Sequence, residues 1–260
     1  PGPTPGPTPG PTPAPGPAPT PAPVPTSCNQ AEMVIILDAS GSVQANFDAM
    51  KTFVKSLVGR FPIGPNGVRV SLVRFSQTAS AVWTLSRYQS ANELNNAIDQ
   101  VQLIRGRTNI AAGIKCAYED ALDNARQQVP YIGVLITDGF ANVDEQHIVY
   151  ESSVARAMGM HFVGIGIIDV NYDDRVSYTQ VINNRQQLTQ QLRTVVTRET
   201  NVFMFGSYLE LQRLEVMDNV VATITRQCFV YQFPPPQPRD YYCRDTCCDG
   251  LQCFCRVNKA

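Results

Sequence analysis

The sequence predicts an α/β fold with a doubly wound, mostly parallel central sheet and helices on both faces. Three runs, MVIIL, YIGVLIT and HFVGIGII, are almost uniformly apolar, which is typical of parallel strands buried on both faces. The runs VRVSLVRF, SAVWTL and NVFMF supply three further strands. Helical patterns lie between these strands, and such an alternation indicates right-handed βαβ crossovers within one sheet.

Helices are predicted where apolar residues recur every three or four positions. The four sets are Phe47, Met50, Phe53, Val54 and Leu57; Ile110, Ile114, Ala117, Ala121 and Leu122; Val149, Val154 and Ala157; and Leu209, Leu211, Leu214, Val216, Val220, Val221 and Ile224. After HFVGIGII a recognisable helix resumes only near Leu192. The intervening segment DVNYDDRVSYTQVINNRQQLTQ is therefore expected to be a long surface connection.

Composition divides the chain into three zones. Residues 1–27 carry proline at every odd position from 1 to 25, which enforces polyproline II and predicts a stalk. A ligand for SH3-type domains is the alternative. Residues 28–228 carry the α/β pattern, and about 200 residues suffice for one core. Residues 229–260 combine a proline linker with five cysteines, so disulfides must hold whatever structure forms there.

Bulk properties exclude several classes of function. A formal charge of −1 does not support electrostatic binding of nucleic acid. No apolar run reaches the roughly 18 to 20 residues of a membrane span, so membrane insertion is not expected. Eight cysteines against two histidines indicate an oxidising compartment and a secreted protein. Because the chain begins at Pro1, we expect a processed or excised piece.

Oxygen-bearing side chains occupy three loops at the predicted carboxyl edge of the sheet, where doubly wound proteins bind ligands. They are Asp38, Ser40 and Ser42 in DASGS; Thr108 and Asn109 in RGRTNIAAG; and Asp138 and Gly139 in LITDGF. Each loop alone is explained by helix capping or turn chemistry. Together, the two aspartates would repel each other unless a cation lay between them.

At these residues the sequence resembles the von Willebrand factor type A domain family. DASGS matches the DxSxS motif of that family, Thr108 its second-loop threonine, and Asp138 its third-loop aspartate. The order and spacing of the three loops agree, and the likeness extends from Cys28 to Cys228. The resemblance implies an extracellular matrix or adhesion domain with a metal-ion-dependent adhesion site (MIDAS).

The resemblance also implies a division of labour at that site. Ser40, Ser42 and Thr108 would bind one Mg²⁺, Mn²⁺ or Ca²⁺ directly, whereas Asp38 and Asp138 would act mainly through water. Hard oxygen ligands suit these cations better than zinc. One open coordination position would accept a Glu or Asp carboxylate from a protein ligand, for which collagen, another matrix protein and a cell-surface protein are candidates.

A rim of ligand-contacting residues is predicted beside the metal. It consists of Asn109, Gly139, Asp169, Tyr172, Asp173, Asp174 and Arg175. The last five lie in the long connection; in the collagen-binding integrin A domains of the family that the sequence resembles, an extra helix lies at this place, but its sequence is not matched here. An ordinary surface loop is the alternative.

Cysteine pairing is resolved only in part by the sequence. The resemblance implies a disulfide between Cys28 and Cys228, which would restrict the sliding of the last helix by which family members change affinity. Cys116 lies opposite the apolar stripe of its helix and is expected to face outward. A bridge from Cys116 to the tail, a disulfide-linked oligomer and zinc binding by the tail all remain open.

We expect no enzymatic activity. No GxGxxG follows the first strand, and GxxxxGK and GxSxG are absent. One alternative to adhesion is a structural matrix protein that assembles through its stalk and tail and has a non-functional metal site. A metal-dependent hydrolase using Asp38 and Asp138 is a further alternative.

Overall fold

A computed structural model describes residues 28–127, 129–169 and 177–230, together with Gly2 and two short strands, Cys248–Asp249 and Gln252–Cys253. It confirms the predicted fold. The central sheet has the strand order β3-β2-β1-β4-β5-β6, and only the edge strand β3 is antiparallel. The strands are β1 (Ala31–Asp38), β2 (Val68–Phe75), β3 (Ala79–Trp83), β4 (Tyr131–Thr137), β5 (Met160–Ile167) and β6 (Val202–Phe205).

Helices cover both faces of this sheet. They are α1 (Phe47–Val58), α2 (Ala91–Asp99), α3 (Ile110–Asn124), α4 (Ile148–Ala157), α5 (Tyr178–Val195) and α6 (Leu214–Val230). Alternate residues of β1 point into different cores: Met33, Ile35 and Leu37 pack with α1, α2 and α6, whereas Val34 and Ile36 pack with α3, α4 and α5. All eight residues of β1 are buried, which explains the unbroken apolar run. No described helix is both long and apolar enough to cross a membrane.

The strand order of the sheet reverses at β1. Strands β2 and β3 extend the sheet on one side of β1, and β4 to β6 extend it on the other. Leu37 pairs with Arg74 of β2 and with Ile136 of β4, so the carboxyl ends of all three strands lie at one edge. This edge is the topological switch point, where open α/β sheets bind ligands.

Two helix predictions need correction. Helix α5 begins at Tyr178, after the N-cap Ser177, and not near Leu192. Its buried residues are confined to Leu188 and the turns that follow, so its first turns have no apolar stripe to reveal them. The predicted connection is correspondingly shorter, and its residues 170–176 lie outside the described part of the chain.

The last predicted helix is two elements. A 3₁₀ helix, Tyr208–Gln212, precedes α6, and Arg213 separates them. Leu209 and Leu214 are 73% and 68% exposed, and Val149 of α4 is 57% exposed, so these members of the predicted helical patterns do not lie in the cores. The spacing of apolar residues continues across Arg213, where the helical backbone is interrupted, so periodicity alone predicts one helix in place of two.

Cys116 is buried, with 2% exposure, and does not face outward as predicted. The buried surface of α3 is wider than its apolar stripe, because Gly113 and Asp120, on the same flank as Cys116, are buried as well. A Cβ atom on Gly113 would lie 2.9 Å from Phe75, so α3 approaches β2 closely on this flank. Cys116 is disulfide-bonded, and its partner is not among the side chains that the structure describes.

A disulfide joins Cys28, just before β1, to Cys228 in the last turns of α6. The bond spans a sequence separation of 200 residues, and the two Cα atoms are 5.8 Å apart. It therefore holds the end of the last helix against the start of the central strand. In the chain-entropy model, closing a loop of this size stabilises the fold by about 5 kcal/mol at most.

The double substitution Cys28→Ser/Cys228→Ser should lower the free energy of unfolding by about 2 to 5 kcal/mol, because the unfolded chain regains loop entropy. Urea unfolding followed by circular dichroism measures this change. Serine substitution is preferable to reduction, since Cys116 is also disulfide-bonded. An unchanged midpoint and slope would show that the bond contributes nothing to stability.

A buried ion cluster lies at the opposite edge of the sheet. Glu32 of β1 is fully buried and accepts hydrogen bonds from Arg69 Nε at 2.9 Å and Arg126 Nε at 2.6 Å. The Arg126 guanidinium also donates to the carbonyl oxygens of Pro65 and Gly67. One carboxylate thus connects β1, β2 and the loops before β2 and β4.

Replacing this carboxylate in Glu32→Gln should destabilise the fold by about 3 kcal/mol, because two guanidinium groups lose their counter-charge. The matched control is Asp99→Asn, which removes the exposed partner of Lys55 and should cost less than about 1 kcal/mol. Chemical denaturation of both variants measures the difference. Equal costs would contradict a structural role for the cluster.

Candidate metal-ion site at the carboxyl edge of the sheet

Three loops meet at the switch point and are joined by backbone hydrogen bonds. Ala39 N–H donates to the Phe75 carbonyl at 2.7 Å, and Gly41 N–H donates to the Gly106 carbonyl at 3.0 Å. Asn142 N–H donates to the Thr108 carbonyl at 3.0 Å. The loops that follow β1, precede α3 and follow β4 therefore form one connected surface.

The loop before α3 has an unusual backbone. Arg105 and Gly106 have φ angles of 66° and 97°, and the N–H of Arg105 donates to the Ala39 carbonyl at 2.8 Å. Glycine accepts the left-handed conformation at no steric cost, whereas arginine does not. This turn brings Gly106 to within hydrogen-bonding distance of Gly41 and places Thr108 near the first loop.

Asp38 is fully buried, and donors occupy both of its carboxylate oxygens. Ser40 N–H donates to Oδ1 at 2.8 Å, and the Thr137 hydroxyl donates to Oδ2 at 2.6 Å. Thr137 is the last residue of β4, so the two neighbouring strands are linked through this carboxylate. Asp38 is consequently held at one position.

The two serine hydroxyls lie beside the second aspartate. Ser40 Oγ is 3.1 Å from Ser42 Oγ, and Ser42 Oγ donates to Asp138 Oδ1 at 2.6 Å. The other oxygen of Asp138, Oδ2, accepts a hydrogen bond from the Tyr208 hydroxyl at 3.0 Å. Asp138 thus also has a donor on each carboxylate oxygen.

Thr108 completes the group. It is 5% exposed, and the Asn142 side chain accepts a hydrogen bond from its N–H at 3.0 Å. A Cβ atom on Gly139 would lie 4.0 Å from both Ser42 Oγ and Thr108 Oγ1, so these two hydroxyls face the same small space. All five predicted metal ligands are therefore brought together.

Burial shapes the electrostatics of the two aspartates. Loss of solvation, and then the neighbouring Asp138 carboxylate, raises the pKa of Asp38 to about 7. Loss of solvation also raises the pKa of Asp138. A site that holds two carboxylates in this way favours either a proton or a cation between them.

The donor set fits a small, hard cation. Neighbouring ligands in octahedral Mg²⁺ coordination, at about 2.1 Å from the metal, are about 3 Å apart, which is close to the 3.1 Å between the serine hydroxyls. Among the described residues, no cluster of three or more His, Cys, Asp or Glu side chains could hold a metal ion. The site instead combines two carboxylates with the hydroxyls of Ser40, Ser42 and Thr108.

A family model of the von Willebrand factor type A domain matches residues 32–216. The chain belongs to this family. Among the relatives, the collagen alpha-6(VI) chain of Homo sapiens is 31% identical over 201 residues, which are 74% of this chain and 8% of that protein. Matrilin-4 of Homo sapiens is 28% identical over 142 residues, 52% of this chain and 23% of that protein. This type A domain protein thus spans only a small part of its curated relatives.

Solved structures agree with the assignment. Proximal thread matrix protein 1 from the mussel byssus, in a structure with a zinc-occupied MIDAS motif, has a TM-score of 0.62 and 28% identity to this chain. The match covers 76% of this chain and 46% of that chain. A metal ion therefore occupies the corresponding motif in a structural neighbour.

Three residues of the predicted ligand rim lie in the described part of the chain. Asn109 is 4% exposed; its side chain caps α3 through Ala112 N–H and donates to Asp144, so it connects the start of α3 to the loop after β4. Gly139 borders the hydroxyls, and Asp169 is half-buried near Tyr208. The remaining rim predictions, Tyr172, Asp173, Asp174 and Arg175, lie outside the described residues.

Three site residues were not predicted from the sequence. Thr137 precedes Asp138 directly in LITDGF, so its hydroxyl at the end of a buried strand was a detectable signal. Asn142 lies only four residues after Asp138, within the same loop. Tyr208 is in a different loop, after β6, and no local pattern connects it to Asp138.

The raised pKa of Asp38 predicts a pH-dependent stability in the absence of metal. Between about pH 4 and pH 7 the folded state retains a proton that the unfolded state has lost, so the free energy of unfolding falls as pH rises. The substitution Asp38→Asn keeps the shape of the neutral acid and introduces a side chain that does not titrate. In EDTA, the free energy of unfolding of the variant relative to the wild type should therefore rise between pH 4.5 and pH 8, by on the order of 2 to 4 kcal/mol.

Urea unfolding at pH 4.5, 6 and 8 measures this difference. The control is Asp48→Asn, because the Asp48 side chain is 94% exposed on α1 and the substitution makes the same chemical change away from the site. Parallel pH profiles for the wild type and Asp38→Asn would contradict a desolvated Asp38.

Proposed function

We propose that this chain is an extracellular adhesion or matrix module that binds a protein ligand through one divalent cation at the MIDAS. The observation that carries the proposal is the pair of serine hydroxyls 3.1 Å apart, next to two aspartates whose oxygens already accept hydrogen bonds. This arrangement offers neutral oxygens to a cation and keeps both negative charges near it.

Ser40, Ser42 and Thr108 would hold Mg²⁺, or Mn²⁺ or Ca²⁺, directly, and Asp38 and Asp138 would act from the outer sphere. The bound cation would supply Lewis acidity for an incoming carboxylate. Neutral hydroxyl ligands leave more of the positive charge uncompensated than direct aspartate ligands would. The ligand is therefore a protein with an accessible Glu or Asp side chain.

An extracellular location is supported by several observations. The chain has eight cysteines, Cys28 and Cys228 form a disulfide, and Cys116 is disulfide-bonded as well. Collagen VI and matrilin chains and a byssal matrix protein are among the relatives. Collagen, another matrix protein or a cell-surface protein is the proposed ligand, and the tail cysteines offer a route to disulfide-linked oligomers. The proposal includes no catalysis, nucleic-acid binding or membrane insertion.

Metal binding predicts a stability increase. Mg²⁺ at 100 times its dissociation constant should raise the free energy of unfolding of the wild type by about 2.7 kcal/mol through mass action. Thr108→Ala removes one direct ligand and should weaken Mg²⁺ binding about tenfold or more. Thermal unfolding across a Mg²⁺ and a Mn²⁺ titration measures both effects.

The matched control is Thr52→Ala, an exposed threonine whose hydroxyl donates to the Asp48 carbonyl on α1. It should respond to metal as the wild type does. Binding to immobilised collagen should require Mg²⁺, disappear in EDTA and be lost in Thr108→Ala but not in Thr52→Ala. Metal independence of both stability and adhesion would support the structural alternative, and phosphatase activity that Asp138→Ala abolishes would support the hydrolase.

A further inference from the structure

Tyr208 lies in the 3₁₀ helix between β6 and α6 and reaches the metal site from a fourth loop. The residue is 5% exposed, and its hydroxyl donates to Asp138 Oδ2 at 3.0 Å. The DxSxS motif, the second-loop threonine and the third-loop aspartate do not include it. Its role at the site has to be read from the contact itself.

The geometry points to Tyr208 as a positioning residue that keeps Asp138 in the outer coordination sphere, so that the cation remains available to an acidic ligand. This inference rests on the proposed function. Ser42 Oγ donates to Asp138 Oδ1, and Tyr208 donates to Oδ2, so Asp138 has no oxygen free of a donor. Each carboxylate oxygen keeps a second lone pair, so direct coordination by Asp138 would have to use that lone pair or displace a donor, and the two bonds fix the orientation of the carboxylate.

Of the two donors, Tyr208 is the one that opposes direct coordination. Ser42 can keep its bond to Asp138 while a lone pair of its oxygen faces a cation, because a hydroxyl both donates and accepts. The Tyr208 hydroxyl donates to the other carboxylate oxygen, Asp138 Oδ2, and is not one of the proposed cation ligands. Its hydrogen bond therefore stabilises the outer-sphere position of Asp138.

The phenol is held firmly enough for this role. Its ring belongs to the core that contains Phe205, Leu211 and Met217. A hydrogen bond also stabilises the loop between β6 and the 3₁₀ helix, because Gly206 N–H donates to Glu210 Oε1 at 3.1 Å. A buried aromatic ring with a single polar contact places its hydroxyl with little freedom.

The hydrogen bond between Tyr208 and Asp138 also fixes the segment that precedes α6. Tyr208 is joined to Asp138 at the metal edge, and Cys228 near the far end of α6 is bonded to Cys28. Sliding of α6 along its axis would disturb at least one of these connections. Tyr208 therefore acts as a fixed positioning group rather than as part of a sliding switch.

The test replaces the phenol by phenyl. Tyr208→Phe frees Asp138 Oδ2, and we expect the affinity for Mg²⁺ alone, measured by isothermal titration calorimetry, to rise about three- to tenfold as Asp138 becomes a direct ligand. In the Mn²⁺ form, water proton relaxation should report one fewer bound water than in the wild type. Binding to immobilised collagen in saturating Mg²⁺ should weaken.

The matched control is Tyr118→Phe. Tyr118 is 4% exposed, and its hydroxyl donates to a different carboxylate, Glu151 Oε2, at 2.8 Å. This variant should keep the wild-type metal affinity and relaxation. In an Asp138→Asn background, Tyr208→Phe should no longer raise metal affinity, because the carboxylate on which it acts is absent.

The outcomes separate the inference from the proposed function. If the wild type binds Mg²⁺ and folded Tyr208→Phe binds it with equal or lower affinity and unchanged water relaxation, the positioning role is wrong and the metal site stands. If the wild type binds neither Mg²⁺ nor Mn²⁺, both the proposed function and the inference fail. Circular dichroism in EDTA establishes that each variant is folded.

Discussion

The site depends on the approach of two carboxylates, Asp38 and Asp138, at the ends of neighbouring buried strands. Each would be costly to bury as an isolated charge, and their proximity adds repulsion. The fold offsets this cost with four donors: the Ser40 amide and the hydroxyls of Thr137, Ser42 and Tyr208. With each carboxylate held by two donors, the neutral hydroxyls of Ser40, Ser42 and Thr108 are the candidate direct ligands of a cation.

The rest of the domain holds the two carboxylates, Asp38 and Asp138, close together. Strand β1 is buried along its whole length, the ion cluster around Glu32 joins its start to β2, and the Cys28–Cys228 disulfide joins the same end to α6. Rigid strands are a better support for ligands that must lie within a fraction of an ångström than mobile loops are. The family assignment and the structural neighbour with a zinc-occupied MIDAS are consistent with this construction.

Errors in the sequence-based predictions have three physical causes. Helix α5 was placed too late because its first turns are exposed and polar, so no apolar stripe marks them. A single helix is predicted from Leu209 to Ile224 because periodicity does not detect the 3₁₀ segment and the break at Arg213. Cys116 was expected on the surface, but α3 is buried on a flank that its apolar stripe does not include.

The sequence by itself predicted the strands of the sheet and, through its resemblance to type A domains, the five candidate metal ligands, because both depend on patterns within a few consecutive residues. Only the tertiary structure revealed that Thr137 and Tyr208 donate to the two aspartates, that Asn109 donates to Asp144 and that Cys116 is buried. These features arise from contacts between elements far apart in the chain: Tyr208 follows Asp138 by 70 residues. No local pattern encodes the distance between two such side chains, because packing of the whole domain decides it.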